Sequence, residues 1–477
     1  MPKIYFTTPI YYVNDVPHIG HAYCTLATDT LARFWRKKIG SENVFFLTGT
    51  DENSQKTVEA AQKAGKDVSE YLDEMADNWK KTWEKIGISN DDFIRTTGER
   101  HQKVVHEIFQ KIYDKGDIYK GKYIGKYCTG CEAFLKDSDL DEAGNCPDHK
   151  KPPQEIEEEN YFFRLSNYQD KLLEMYDKNP KWVLPESRKN EVLNFIKSGL
   201  EDISVSRETA EFGITLPMDE KHKVYVWFDA LINYYSALEG TGKEGFWNVA
   251  HHIVGKDIIK FHCVIWPAML LSAEIPPAKE VFGHGFFTVD GVKMSKSLGN
   301  VVNPLEISEK YGNDALRLFL LSAFEFGNDG DFSVENLGHF YNAKLAGGVG
   351  NLFNRVIVLI HKFLKGYKEF DQSETKETQE TREKFGLLME AKKLKAAIDF
   401  FFETVDSANK LLNESEVWKM AKVDSEGAKK VFAIILQKLE SLVEMAEVLL
   451  PEVAPRMKEM LGNEKKIGNP QILFEKR

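Results

Sequence analysis

Cysteine is scarce in this chain: five residues in 477, too few to staple a protein of this length with disulfides. Long apolar runs are missing too. The longest stretches without Asp, Glu, Lys or Arg, such as Phe261–Ala273, run 13 residues, short of the ~20 that cross a bilayer as a helix. The opening MPKIYFTTPIYYVND has neither an apolar core nor a small-residue cleavage site, so no secretory leader is expected. Positive charge is not in excess: 63 Lys and Arg face 74 Asp and Glu, a net charge of −11. A polyanionic partner would therefore have to be held by local basic patches. Together these absences predict a cytoplasmic protein without a membrane span, and no internal repeat or low-complexity tract interrupts it.

What is present is a globular composition, 42% hydrophobic and 29% charged, with 8 Trp, 18 Tyr and 31 Phe. That is enough for two to four packed units. IYFTT reads as a strand, PIYYVNDVPHIG as a loop, and Ala22, Leu26, Ala27, Leu31, Phe34 and Trp35 as one helical face closed by Gly40. A second such unit follows: an apolar strand Val44–Leu47, a polar loop, and a helix over Ser54–Lys63 ended by Gly65. Repeated strand–helix units predict a parallel, doubly wound sheet. From about Gly116 the texture turns to Gly, Lys, Asp and turn residues, an inserted subdomain; sheet-like segments return at Lys223–Phe228, His251–Val254 and Glu280–Val289. Beyond Tyr341 two long apolar faces, Leu387 to Leu412 and Val431 to Ala446, predict a helix bundle. Asp371–Lys384 reads as an exposed connection. The predicted fold is α/β, a split Rossmann-type sheet with an inserted zinc-knuckle subdomain, followed by an all-α domain. The predicted boundaries are 1–115 and 221–290 for the two halves of the sheet domain, 116–220 for the insertion, 291–340 for a loop and linking region, and 341–477 for the bundle.

Three clusters carry chemistry. His18-Ile19-Gly20-His21 falls where the first loop meets a helix N-terminus, whose unpaired N–H groups and positive dipole end suit phosphates. Lys293-Met294-Ser295-Lys296-Ser297, between Gly291 and Gly299, suits a loop that brings ammonium groups to a polyphosphate. A given pentapeptide occurs by chance in a chain this long with probability on the order of 10⁻⁴, and this one also follows an HIGH tetrapeptide. Cys128-x2-Cys131 and, after 14 intervening residues, Cys146-x2-His149 have the spacing of two knuckles closing a tetrahedral Zn²⁺ site. With all four positions filled by protein, the expected role is structural. Cys24 and Cys263 lie in apolar helical contexts and are expected in the core.

The HIGH and KMSKS motifs together resemble the signatures of class I aminoacyl-tRNA synthetases, over essentially the whole chain. PIYYVNDVPHIGHAY, the knuckled insertion, VYVWFDALINYY, HIVGKDIIKFHCVIWPAM and GHGFFTVDGVKMSKSLGNV look like the methionyl-tRNA synthetase family in its one-zinc bacterial form. That resemblance implies an ATP-dependent methionine–tRNA ligase that serves elongator and initiator tRNA(Met). It implies a methionine pocket of Ile10, Tyr12, Trp227, Ala230, Leu231, Tyr234, Ile258, Phe261 and His262, with Asp51 on the α-ammonium. It further implies His18, Gly20, His21, Gly255, Asp257, Lys293 and Lys296 around ATP and its Mg²⁺, with His18, His21, Lys293 and Lys296 catalytic, and Arg207 near the site. Asn351, Arg355 and Trp418 correspond to anticodon readers. An aromatic set suits a polarisable thioether, and Asp51 ends an apolar strand, where open α/β sheets bind ligands. One departure is visible: many family members have His-Gly after Thr50-Asp51-Glu52, and here Asn53-Ser54 follow.

Synthetases for Ile, Leu or Val are disfavoured, because Gly116–Phe212 is too short for the large editing domain that they resemble. A cysteine enzyme would be expected to place zinc beside HIGH. A non-catalytic tRNA binder would not need intact HIGH, KMSKS and Asp51. The end of the chain soon after the bundle predicts a monomer.

Overall fold

Strands made of β-branched and aromatic residues build a six-stranded parallel sheet. In chain order they are β1 (Ile4–Tyr12), β2 (Val44–Asp51), β3 (Asp92–Arg95), β4 (Val183–Leu184), β5 (Ala250–Gly255) and β6 (Glu280–His284). They lie side by side as β3-β2-β1-β5-β6-β4. β2 is buried at every position, the continuous apolar pattern of a parallel strand covered on both faces. Gly49 allows its tight pairing, since a Cβ there would meet Ile94 O at 2.1 Å. The register runs from Ile4 opposite Val44 to Tyr12 opposite Asp51, with a shift between Thr7 and Ile10 around Pro9. Behind the sheet, Val105, Ile108, Phe109 and Ile112 pack in one core with Phe228, Leu231, Ile232 and Trp266.

The computed structural model describes residues 2–128, 133–135, 137–147, 150–289, 291–293, 300–368 and 375–477. The chain divides into two compact units, residues 1–16, 39–84 and 89–284, and residues 17–38, 85–88 and 285–477. Residues 116–220, expected as an insertion, belong to the first, but Val183–Leu184 among them is the edge strand β4 of the parallel sheet, so that stretch is not wholly separate from it. The rest of that stretch contains an antiparallel sheet of Ala133–Leu135, Ile118–Cys128, Gln154–Phe163 and Ile203–Ser204. Lys122 faces Glu159 and Lys126 faces Glu155 across the two long strands, opposite charges at paired positions that favour this register.

The second unit holds helix Ile19–Ile39 almost entirely, a small sheet of Phe287–Val289, Val292–Lys293 and Gly330–Phe332, and the C-terminal helices. Ile398, Phe401, Val405 and Leu412 of helix Leu394–Glu414, with Phe432, Ile435, Leu439 and Leu442 of helix Ser425–Leu449, supply its buried apolar faces. One helix, Val334–Leu364, has 31 residues and is long and apolar enough by length and composition alone to cross a membrane, with half of its most apolar stretch buried within the protein. Counting charge-free runs overlooked it, because Lys344 and Arg355 interrupt the apolar sequence.

Several sequence expectations need correction. Lys223–Phe228 is not a strand: the strand is Asp219–Val224, and Val226 opens a helix to Ser236. Glu280–Val289 is two strands in different sheets, parted where a Cβ on Gly285 would meet Asn328 O at 2.1 Å. In Asp371–Lys384, residues 371–374 lie outside the described residues, and helix Lys376–Glu390 begins under a Thr375 cap that accepts the Thr378 N–H. Leu387, placed on the apolar face, is 67% exposed, because the chain turns at Ala391–Lys393 and the face is split between two helices.

Candidate active site

In the first unit, three neighbouring strands end on Asp51, Tyr12 and Gly255. This carboxyl edge is where a parallel sheet binds ligands. Tyr11 is buried and stacks on Trp79 at 4.9 Å, and Trp79 Nε1 donates to Asp15 O at 3.1 Å, which fixes the chain just after Tyr12. Helix Val226–Ser236 brings Trp227, Ala230, Leu231 and Tyr234 onto one side through their three- and four-residue spacings. Trp227 meets Tyr12 edge-on at 6.4 Å and stacks face to face on Phe261 at 3.9 Å. Phe261 and His262 open a π-helical turn, Phe261–Ile265, that runs into helix Trp266–Ser272; such widened turns recur at functional sites. Ile10 and Ile258 pack half-buried against the same core, whereas Asp257 is exposed.

His262 is 1% exposed. Its Nδ1 donates to Ile258 O at 2.9 Å and its Nε2 meets Tyr234 Oη at 2.7 Å. Burial pushes its pKa down to about 4, against the carbonyl bond to Ile258. The imidazole is thus neutral with its proton on Nδ1, and Tyr234 Oη is the donor to Nε2. The side chains gathered here, Tyr12, Trp227, Tyr234, Phe261 and His262, are uncharged and aromatic, as suits contact with an apolar side chain carrying a polarisable atom.

The sequence reading missed the polar scaffold behind this wall. Glu52, fully buried, accepts from Thr50 Oγ1 at 2.8 Å and from Arg95 Nε at 2.7 Å, and also from Thr97 Oγ1. Asn53 Nδ2 donates to Asp229 Oδ2 at 2.7 Å, and His101 Nε2 donates to Asp229 Oδ1 at 2.6 Å. The turn after Asp51 is thus held through its next two side chains, while Asp51 itself is 3% exposed.

In the second unit the HIGH tetrapeptide straddles the N-terminus of helix Ile19–Ile39. His18 Nδ1 accepts the Gly20 N–H at 3.1 Å, His21 Nδ1 accepts the His18 N–H at 3.3 Å, and the rings stack at 3.6 Å. Burial and, secondarily, its neighbour His18 hold His21 well below the usual histidine range. With Nδ1 accepting, the N–H of each neutral ring is on Nε2. Two ring donors at a helix N-terminus are suited to an anion. The Ile19 N–H donates to Val302 O at 3.1 Å, which ties HIGH to the segment after the KMSKS loop. Further along the helix, Asp29 Oδ2 takes Arg33 Nε and Arg317 Nη2, each at 2.7 Å. Lys293 ends a short strand, with its side chain outside the description; Lys296 and its neighbours lie outside the described residues.

The comparisons with known proteins bear on the whole of this chain. The family model described as tRNA synthetases class I (M) matches residues 4–155 and 149–357. A methionine–tRNA ligase of Thermotoga maritima is 42% identical over 94% of this chain and 73% of its own length. One from a Nostoc species is 39% identical over 98% and 96%. The chain belongs to the methionyl-tRNA synthetase family. Its fold superposes on the Mycobacterium tuberculosis methionyl-tRNA synthetase solved in complex with methionyl-adenylate, with a TM-score of 0.93 and 33% identity, covering 99% of this chain and 100% of that one.

Other residues singled out by likeness to methionyl-tRNA synthetases have the following surroundings. Arg207 donates to Ser204 Oγ at 3.0 Å and Ser206 O at 2.9 Å and lies over the Tyr225 ring at 4.6 Å. Asn351 and Arg355 share helix Asn351–Leu364, exposed and half-buried, and Arg355 Nη2 donates to Asn413 Oδ1 at 2.9 Å. Trp418 lies in the short helix Val417–Met420 and is half-buried. Cys24 and Cys263 are buried in the core, as expected. Of the four knuckle residues, Cys128 and Cys146 are buried, and Cys131 and His149 lie outside the described residues.

Proposed function

We propose that this chain activates L-methionine with ATP and transfers it to tRNA(Met), including the initiator, through the residues described above. Family membership and the likeness to an adenylate-bound relative carry the reaction; the neutral aromatic pocket at the sheet's carboxyl edge supports the choice of amino acid. The methionine carboxylate attacks the α-phosphate of ATP, forming methionyl-adenylate and releasing pyrophosphate. The 3′-terminal ribose hydroxyl of the tRNA then takes the acyl group and AMP leaves. No protein nucleophile is needed, so the side chains act by positioning and charge stabilisation. In this reading Asp51 holds the α-ammonium, and Ile10, Tyr12, Trp227, Ala230, Leu231, Tyr234, Ile258, Phe261 and His262 enclose the thioether. His18 and His21 donate from Nε2 to the phosphates beside the Gly20 backbone, Gly255 and Asp257 sit by the nucleotide, and Lys293 and Lys296 meet the pyrophosphate. Mg²⁺ enters with ATP.

For zinc, the donor set fits. The Cys146 N–H bonds to Lys151 O at 2.9 Å and its carbonyl takes the Lys150 N–H at 2.8 Å, with Lys150 at φ 51°. Cys128, Cys131, Cys146 and His149 would hold one structural Zn²⁺. Among the described residues no group of three or more metal-ligating side chains comes together. Asn351, Arg355 and Trp418 would read unpaired anticodon bases by hydrogen bonding and stacking. A cytoplasmic monomer, organised by the boundaries at 115, 220, 290 and 340, completes the reading.

The test is pyrophosphate exchange into ATP over all twenty amino acids without tRNA. Exchange with methionine alone is the expected result; exchange with another amino acid instead would discard the pocket assignment.

A further inference from the structure

We propose that Asn53 is a positioning residue for methionine, setting the span between the ammonium anchor and the aromatic wall of the pocket. The inference rests on the methionine reading above. Asn53 is two residues after Asp51 and 7% exposed. Its single amide nitrogen donates both to Asp229 Oδ2, at 2.7 Å, and to Thr96 O, at 3.2 Å. Asp229 has no exposed surface and lies between Trp227 and Ala230 on helix Val226–Ser236. Its other oxygen is taken by His101 Nε2 at 2.6 Å, and His101 Nδ1 meets Ser236 Oγ, on the same helix, at 2.7 Å.

The pocket helix thus has two polar tethers on one buried carboxylate. His101 joins it to helix Glu99–Asp114 behind the sheet. Asn53 joins it to the turn that follows Asp51 at the end of β2, a tether that runs between the two ends of the proposed ligand site. A buried carboxylate that loses a donor is left with an unmet acceptor, and the cheapest relief is for the helix or loop to shift until one is found. Such a shift changes the distance from Asp51 to Trp227 and Tyr234 while leaving each end intact. Only a ligand that uses both ends senses it. An imidazole can also donate one N–H to a carboxylate, so a histidine at this place would meet the same constraint.

The experiment compares wild type, Asn53→Ala, Asn53→His and Asn53→Gln. It titrates each with L-methionine and with 4-(methylthio)butanoate, which keeps the thioether and carboxylate but has no amino group. It also measures the KM for ATP in pyrophosphate exchange. Asn53→Ala is expected to weaken methionine about tenfold, the loss of one buried hydrogen bond, with 4-(methylthio)butanoate and the ATP KM within twofold of wild type. Asn53→His is expected to bring methionine back to within threefold. Unchanged methionine affinity, or an equal loss for the analogue, overturns the proposal. If Asn53→Ala does not fold, Asn53→Gln decides: its longer arm keeps the donor but alters the span, so a melting temperature near wild type with methionine weakened severalfold supports the proposal, and unchanged methionine overturns it. Wild type that neither binds methionine nor exchanges with it would instead defeat the functional reading.

Discussion

His262 in the sheet unit and Asp314 in the helical unit are both buried titratable groups, and burial drives both to their neutral forms with opposite consequences for pH. Around His262 its described partners are neutral: the Tyr234 hydroxyl, the Ile258 carbonyl, and His252, itself held well below the usual range by burial first and then by the neighbouring histidines. Asp314, 3% exposed, accepts the N–H groups of Glu452 at 3.2 Å and Val453 at 2.8 Å. Burial pushes its pKa up to about 7, although both N–H groups and Arg317 favour the carboxylate; the Glu452 charge adds to the rise. A neutral base is favoured at high pH and a neutral acid at low pH. Burial of His262 therefore favours the folded state at higher pH and burial of Asp314 at lower pH, so the two groups pull the pH dependence of stability in opposite directions.

The largest expected effect breaks the comparison at its one strong counter-charge. Arg317, 1% exposed, pairs with Asp29, donates to Thr30 Oγ1 at 2.9 Å and Gly87 O at 3.2 Å, and sits one helical turn from Asp314. Arg317→Met removes one of the two arginines paired with buried Asp29 and leaves Arg33, at a cost of about 3–5 kcal/mol. Urea unfolding of the variant at pH 7 measures it; a loss below about 1 kcal/mol would mean that Arg33 alone neutralises Asp29. The same variant should push Asp314 higher still and steepen the loss of stability with rising pH.

Asp314→Asn comes next. In wild type the folded state holds a proton that the unfolded chain has released between about pH 4 and 7, so stability falls as pH rises through that window, by at most about 4 kcal/mol. The neutral amide removes this slope. Unfolding free energies of variant and wild type should agree near pH 4.5, where Asp314 is protonated and both side chains offer one good acceptor, and diverge in the variant's favour above pH 7. Parallel curves would show that the two N–H groups hold an ionised carboxylate at neutral pH.

Much of this was legible in the chain because it is local. Val44–Asp51 announces a buried parallel strand by unbroken apolar character, and HIGH sits at a helix N-terminus because loop, histidines and amphipathic face are contiguous. What was hidden is non-local. Asn53 and Asp229 are 176 residues apart, and His101 and Asp229 are 128, so no window shows that they share a hydrogen bond. Helix Val226–Ser236 was misread at its start because VYVWF is as apolar and aromatic as a strand, and Tyr225 provides no side-chain cap. The breadth of its buried surface, from Phe228 through Tyr234, is what a tertiary environment adds to an ambiguous apolar run.

The smallest effect tests the other side of the comparison. His262 is neutral when folded down to about pH 4, whereas the unfolded chain takes up its proton near 6.5. The unfolded state therefore binds more protons between those values, and stability falls as pH drops through the window, by about 3 kcal/mol at most. In His262→Gln the amide oxygen can still accept from Tyr234 Oη, but nothing titrates, so that part of the acid slope should vanish while stability at pH 8 changes by about 1 kcal/mol or less. The activity readout separates packing from protonation. In wild type the methionine KM should stay flat from pH 6 to 9 as far as this group is concerned, because Nε2 never gains a proton there and the Tyr234 hydroxyl keeps its acceptor. A methionine KM that rises as pH drops below 6.5 in wild type and not in His262→Gln would place a titrating imidazolium in the pocket wall, and the contrast with Asp314 would fail.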